Sequence, residues 1–469
     1  MLARYATVKA RLGEWLPQGS FAHHVGIMAG GAAAAQALAV LIAPLLSRIY
    51  TPAEFGVLGV YVSIITVLQV VAMLGYHGAI PLPKDDDEVL ALVVLSGAVL
   101  VSVSALLGVA MLFAGPLIVA LTEAPVLASY LWVFPAGLLL VGGFEILTIW
   151  AVRNKLFSTL ARIRISQGVA MAVVMLGLGL AHVGVLGLIL GELAGRSLGI
   201  LTLLRSIRRV QGGRLRQVTL RRLRSTLARY RRFPQFLMPF LLFNRTGLQI
   251  PAVLFIAFYN PAVAGLVLLG EKVVQLPMAF IGRSVARVYL GEAAEVVRQH
   301  PGRLGGLYRK TFKGLCLIGI GPMAVIIVAA PLLFGTIFGE SWREAGHFVS
   351  LLAVPILLQF ATSPLSQTFA IIERQDLAMF WAILRLVLVA GGISLAGGLG
   401  LAPVWAVSFY AIANTLSYAT LYLILDFVVP LEVEAGGPAA RACPPSSGAE
   451  PEAPHRPRAP GRTCKSPGG

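Results

Sequence analysis

Twelve apolar stretches of membrane-spanning length follow one another between Val25 and Val429, and Lys and Arg collect in every second gap between them. With residue 1 placed in the cytoplasm, 32 of the 38 basic residues fall in inside segments. These are Arg4, Lys9 and Arg11; Lys84; Arg153, Lys155, Arg162 and Arg164; eleven arginines from Arg205 to Arg232; seven residues from Arg283 to Lys313; Arg374; and five beyond Val429. Outside gaps hold Arg48 and Arg343, and Arg196, Arg245, Lys272 and Arg385 fall within the stretches themselves. Topology follows the Lys and Arg of short loops. The pattern therefore predicts a multi-pass bacterial inner-membrane protein with both termini cytoplasmic.

About 20 helical residues cross ~30 Å of hydrocarbon. The stretches 25–47, 56–76, 89–113, 129–151, 164–182, 185–205, 235–257, 262–282, 312–334, 347–370, 377–397 and 403–428 all reach or approach that length. They lack the period-two alternation of a membrane barrel, so the expected fold class is an all-α membrane protein. With 57% hydrophobic and 13% charged residues, the chain is excluded from ordinary soluble domains, which run near ~25% charged. Membrane orientation and anionic headgroups account for the net charge of +17. No nucleic-acid partner is expected. Cys316, Cys443 and Cys464 form no CxxC pair, and no GxxxxGK[ST] loop occurs, so neither metal nor cofactor is expected.

Two features divide the chain. The basic segment 206–234 separates a six-helix bundle at 25–205 from another at 235–429. Residues 1–24 read as a cytoplasmic interfacial segment and 430–469 as a disordered cytoplasmic tail. In addition, Tyr50-Thr51-Pro52-Ala53-Glu54-Phe55-Gly56 recurs as Tyr259-Asn260-Pro261-Ala262-Val263-Ala264-Gly265, each copy joining the first two helices of its half. A repeat containing an even number of spans keeps its orientation. The two bundles should therefore be related by a pseudo-twofold axis along the membrane normal.

Several segments carry a family pattern. They are Leu45-Leu46-Ser47-Arg48-Ile49-Tyr50 leading into Thr51–Gly56, Leu82-Pro83-Lys84-Asp85-Asp86-Asp87-Glu88, Tyr230-Arg231-Arg232-Phe233-Pro234 with Gln249-Ile250-Pro251, Phe338–Gly346 around Trp342, and Ser363-Pro364-Leu365-Ser366-Gln367. Over roughly residues 25–425 the chain resembles the oligosaccharide (O-antigen, Wzx-type) flippases of the multidrug/oligosaccharidyl-lipid/polysaccharide (MOP) exporter superfamily. The resemblance implies two six-helix bundles around a central cavity that opens alternately to each side. It implies a substrate too: an undecaprenyl-pyrophosphate-linked oligosaccharide moved to the periplasmic leaflet for O-antigen or exopolysaccharide synthesis. Membrane lipids and a polysaccharide polymerase or export machinery are the partners it implies.

A lipid diphosphate bearing sugars needs a hydrated path with cations and hydrogen-bonding side chains. A mid-span charge costs about 2.5–3.5 kcal/mol on insertion scales and needs water or a partner, which makes such residues candidates by default. Arg245, flanked by Asn244 and Gln249, is the first; Lys272 and Arg385 follow, with Gln36 as a hydroxyl partner. Arg196 stands four residues after Glu192, the spacing of an intrahelical ion pair. Glu145, Glu192 and Glu271 are the acids well inside spans and are candidates for ion coupling. Asp85–Glu88 reads as solvated helix-start chemistry, and the Arg205–Arg232 run as a surface for anionic lipid. Two other functions compete. A multidrug cation antiporter would favour acidic cavity walls. A polysaccharide polymerase or glycosyltransferase would need a larger outside loop or an acidic pair beside the membrane.

Overall fold

An apolar run inside a bilayer must satisfy its own peptide groups, and this chain does so with helices. The computed structural model describes residues 21–122, 130–215, 218–372 and 374–434, and every regular element among them is helical. Lobe one contains α1 (Phe21–Ile49), α2 (Pro52–Met73), α3 (Asp86–Thr122), α4 (Val133–Arg153), α5 (Phe157–Leu180) and α6 (Val185–Leu215). A connector helix α7 (Leu220–Arg229) leads to lobe two. That lobe contains α8 (Met238–Phe258), α9 (Pro261–Gln299), α10 (Leu304–Phe338), α11 (Arg343–Thr362), α12 (Gln375–Gly398) and α13 (Pro403–Glu434). Ten of the described helices are long and apolar enough to cross a membrane, so the chain is a multi-pass membrane protein. The apolar part of α1 is described over Ala33–Ile49, and α9 is not among the ten.

The same packing order builds both lobes. In lobe one α1 packs on α5, α5 on α6, α6 on α4, and α4 on α2 and α3. In lobe two α8 packs on α12, α12 on α13, α13 on α11, and α11 on α9 and α10. Helix starts repeat as well. The Thr51 hydroxyl accepts from the Glu54 N–H at 3.3 Å, and the Glu54 carboxylate accepts from the Thr51 N–H at 2.7 Å. Asn260 Oδ1 accepts from the Val263 N–H at 3.0 Å, and Pro fills the first helical position of both α2 and α9. Capping and proline together fix where each helix begins.

The two copies of the repeated motif cross one another. A Cβ on Gly56 would lie 1.8 Å from the Pro261 carbonyl oxygen, and a Cβ on Gly265 would lie 1.8 Å from that of Pro52. Only glycine permits this approach, and the contact is reciprocal, as a twofold axis requires. This crossing marks one end of the molecule; α7 marks the other, the connector end.

Helix α6 continues to Leu215, with a break in its helical geometry at Gln211, and so enters the stretch read as a connector. Gln211 Oε1 accepts from Trp150 Nε1 at 3.0 Å. One π-helical turn, Phe233–Leu237, precedes α8. The interfacial segment expected before α1 and the tail expected after α13 fall almost wholly outside the described residues.

Candidate functional site

Four helices, α1, α2, α8 and α9, form the seam between the lobes. Near the crossing the seam is closed. Ala252 and Ile256 of α8 are buried, and a Cβ on Gly59 of α2 would lie 2.2 Å from Leu268 Cδ1 of α9. Residues spaced by three or four share a helix face. Arg245 therefore lies on the face of Gln249, Ala252 and Ile256, and Lys272 on the face of Gly265 and Leu268. Both cations are exposed, although the same faces are buried nearer the crossing. Away from the crossing, Arg245 and Lys272 are thus the exposed cations that lobe two brings to the seam.

Gln36 is half-buried on the α1 face that also carries Ser47, a residue in contact with lobe two. The Ser63 hydroxyl of α2 donates to Gln249 Oε1 at 2.9 Å across the seam. At 1.5 Å per residue from the helix ends at the crossing, Gln36 and Arg245 lie about 20 Å along their helices, and Ser63 and Lys272 about 17 Å. These side chains therefore share one level around the pseudo-twofold axis. Asn244, half-buried beside Arg245, is turned off this face by the helical rotation.

Arg385 and Glu271 lie inside lobe two instead. Arg385 is 4% exposed; its Nη1 reaches the Tyr418 hydroxyl at 3.4 Å and its guanidinium stands 5.2 Å from the centre of the Trp381 ring. Gly247 makes the room: a Cβ there would lie 3.3 Å from Arg385 Nη2. Glu271 accepts from the Tyr410 hydroxyl at 2.9 Å. Tyr410, Asn414 and Tyr418 follow one another on successive turns of α13, so Glu271 and Arg385 end a single polar stripe within the lobe.

The three candidate acids do not converge. Glu192 holds Arg196 at 3.0 Å, the intrahelical pair that the spacing predicts, and Glu145 is half-buried on α4. An apolar groove of about 620 Å³, lined by Arg162, Ile165, Val169, Val173 and Leu198 among others, lies on α5 and α6 away from the seam.

Distinct chemistry acts at the two ends. At the crossing, Trp342 Nε1 donates to the Ser47 carbonyl at 2.9 Å, and the Ser47 hydroxyl donates to the Phe338 carbonyl at 2.9 Å. Phe55 meets the Trp342 ring edge-on at 5.2 Å. At the connector end, Arg222 binds Asp85 at 2.8 Å and Asp87 at 3.3 Å, while Arg229 binds Glu88 at 2.9 Å. Asp86 pairs with Arg153 at 3.4 Å. The acidic run is thus a clasp for α7, and two arginines assigned to lipid in the sequence reading are bound to protein.

Residues 45–347, which contain the crossing, Arg245, Lys272, the clasp and Trp342, match the family model described as polysaccharide biosynthesis protein. The chain belongs to that family. The teichuronic acid biosynthesis protein TuaB of Bacillus subtilis (strain 168) is 24% identical over 204 residues, 43% of this chain and 42% of that protein. The chain thus spans under half the length of the curated relative it matches. Among solved structures, the lipid II flippase MurJ in an inward closed conformation superposes with a TM-score of 0.64 at 14% identity, over 86% of this chain and 89% of that one. A MATE-family multidrug resistance transporter of the MOP superfamily, inward-facing, gives 0.60 at 16% identity over 85% and 95%. The two-lobed MOP fold is therefore shared. In this member of the polysaccharide biosynthesis family, Gln36 and Arg385 lie outside the matched span.

Two functional contacts escape sequence reasoning, the Trp342–Ser47 latch and the α7 clasp. A usable signal existed for the second. Arg222 and Arg229, seven apart, share one face of α7, and four consecutive acids open α3.

Proposed function

We propose that the chain is a non-enzymatic flippase. It carries an undecaprenyl-pyrophosphate-linked oligosaccharide from the cytoplasmic to the periplasmic leaflet of the bacterial inner membrane by alternating access. The product feeds O-antigen or exopolysaccharide synthesis, with a polymerase or export machinery as its partner. The observation that carries this reading is the seam: closed at the crossing and lined at one deeper level by exposed Arg245 and Lys272.

In this reading the seam opens beyond the crossing as a cleft at the level of Arg245 and Lys272, and with the arginine-rich connector end in the cytoplasm that cleft faces the side on which the substrate is built. Two cations attract the diphosphate, and charge-assisted hydrogen bonds from Arg suit phosphate oxygens. The lipid tail stays in the bilayer while the polar head enters. Membership of a polysaccharide biosynthesis family and a fold shared with the lipid II flippase MurJ support this substrate class. A cationic-drug antiporter fits less well, since Glu192 and Glu271 are engaged within the lobes and the exposed charges at the cleft level are positive.

Deleting the gene and identifying the lipid-linked glycan of the cytoplasmic leaflet tests the reading. An undecaprenyl-diphosphate glycan should accumulate there, and the purified protein in vesicles should restore its passage. A deletion strain with unchanged leaflet distribution and normal surface glycan would overturn it.

A further inference from the structure

The lobes repeat in packing but not in charge. The offset that carries Pro52 to Pro261 and Gly56 to Gly265 also carries Gln36 to Arg245 and Ser63 to Lys272. Helices α5 and α12, each 24 residues long, match Gln167 to Arg385 position by position. Each mid-span cation of lobe two therefore stands where lobe one has a neutral hydrogen-bonding side chain. The mid-span cation of lobe one, Arg196, is held inside it by Glu192 at 3.0 Å. Glu271 offsets one charge of lobe two, leaving that wall net positive.

We infer that the two walls of the cleft take different parts of the substrate: Arg245 and Lys272 of lobe two hold the diphosphate, and the lobe-one wall around Gln36 holds neutral sugar hydroxyls. This rests on the flippase reading and adds an orientation to it. The substrate head lies across the pseudo-twofold axis, with its anionic end always toward lobe two. Arg385, packed behind α8 at Gly247, adds positive potential to the same wall from inside. Gln36 supplies both a donor and an acceptor, which a hydroxyl needs and a phosphate does not. A lipid without charge gains nothing from lobe two, and a diphosphate without sugar gains nothing from lobe one.

The test uses the full-length protein in nanodiscs of zwitterionic lipid, titrated calorimetrically with inorganic pyrophosphate. Arg245→Gln and Lys272→Gln should each weaken pyrophosphate binding at least tenfold, Arg245→Lys should keep most of it, and Gln36→Ala should stay within about threefold of wild type. A charge-transfer variant, Gln36→Arg with Arg245→Gln, puts the cation at the same level on the opposite wall. It should regain pyrophosphate binding without restoring surface glycan in the deletion strain. The inference is overturned if wild type binds no pyrophosphate, if Gln36→Ala loses as much as Arg245→Gln, or if the transferred charge restores glycan fully. Should that variant fail to fold, the single substitutions still decide. Failure of the flippase reading is separate, since it shows as an unchanged leaflet distribution in the deletion strain.

Discussion

Lobe one and lobe two solve the same packing problem and then diverge in chemistry. Both contain a half-buried acid near a buried tyrosine, but the helices exchange roles. In lobe two the acid is Glu271 on the second helix and the tyrosine is Tyr410 on the last, bonded at 2.9 Å. In lobe one the acid is Glu192 on the last helix, held by Arg196, and Tyr61 on the second helix has no hydrogen-bond partner for its hydroxyl among the described residues. The crossing requires the same small residue in both lobes, since two backbones meet there. The interior does not, and the cations are free to differ. Shape is what the repeat preserves; charge is where the lobes specialise.

That contrast is most easily broken at the crossing, where the largest effect is expected. Gly56→Ala and Gly265→Ala each put a methyl group 1.8 Å from a carbonyl oxygen of the other lobe. Neither backbone can yield without parting the helices, so each should destabilise the closed seam by about 3 kcal/mol or more and abolish surface glycan. Thermal unfolding in detergent should rank the two variants together. One lobe tolerating the methyl while the other does not would refute the equivalence.

A second prediction concerns a turn that only lobe one has, because α9 runs on where α2 stops. His77 sits in the 3₁₀ turn Tyr76–Ala79 between the spans, and burial pushes its imidazole down to about 4 from 6.5. The unfolded chain thus takes up the proton first. Stability from this turn is complete above about pH 6.5 and falls as the pH drops toward 4. The loss reaches up to about 3 kcal/mol. Hydrogen exchange across residues 74–82 should speed up over that window in wild type and not in His77→Gln. The same acid sensitivity in the variant would remove His77 as the cause.

Next in size is the difference between these two half-buried acids. Glu271 has a neutral partner, so a proton can come and go without stranding a cation. Protonating Glu192 would leave Arg196 unpaired. If flipping is proton-coupled, Glu271→Gln should lower the response of vesicle transport to an imposed pH gradient about tenfold (1.4 kcal/mol), and Glu192→Gln should leave the gradient response in place. Transport indifferent to the gradient in wild type would end this assignment.

How much of this the sequence discloses depends on the range of the interaction. Thr51, Pro52, Asn260 and Pro261 announce the helix starts locally, and the repeated motif announces the twofold relation. Arg245 and Arg385 look alike in sequence, each a lone arginine in an apolar helix. Their environments differ through residues on other helices: Gly247 opens a space for Arg385, and Trp381 and Tyr418 line it. No local pattern carries that information. The latch is equally remote, since Trp342 and Ser47 meet through a backbone carbonyl that composition does not mark.

The smallest expected effect separates the two ends of the molecule. Crossing-end hydrogen bonds, from Trp342, Ser47 and the Arg48 guanidinium, are directed at backbone carbonyls, with no ion pair between the lobes there among the described residues, whereas α7 is held by exposed ion pairs. Each such pair contributes under about 1 kcal/mol and weakens with salt, because the screening length shortens from about 10 Å at 0.1 M to about 3 Å at 1 M. Trypsin should therefore cut the 221–232 region a few times faster at high salt in the wild-type protein. Arg222→Gln combined with Arg229→Gln should cut at the fast rate in either salt. A fluorescent reporter on Trp342 should not respond to salt in either protein. If cleavage at α7 were independent of salt while the crossing loosened, the ends would have exchanged the roles that their bonding assigns them.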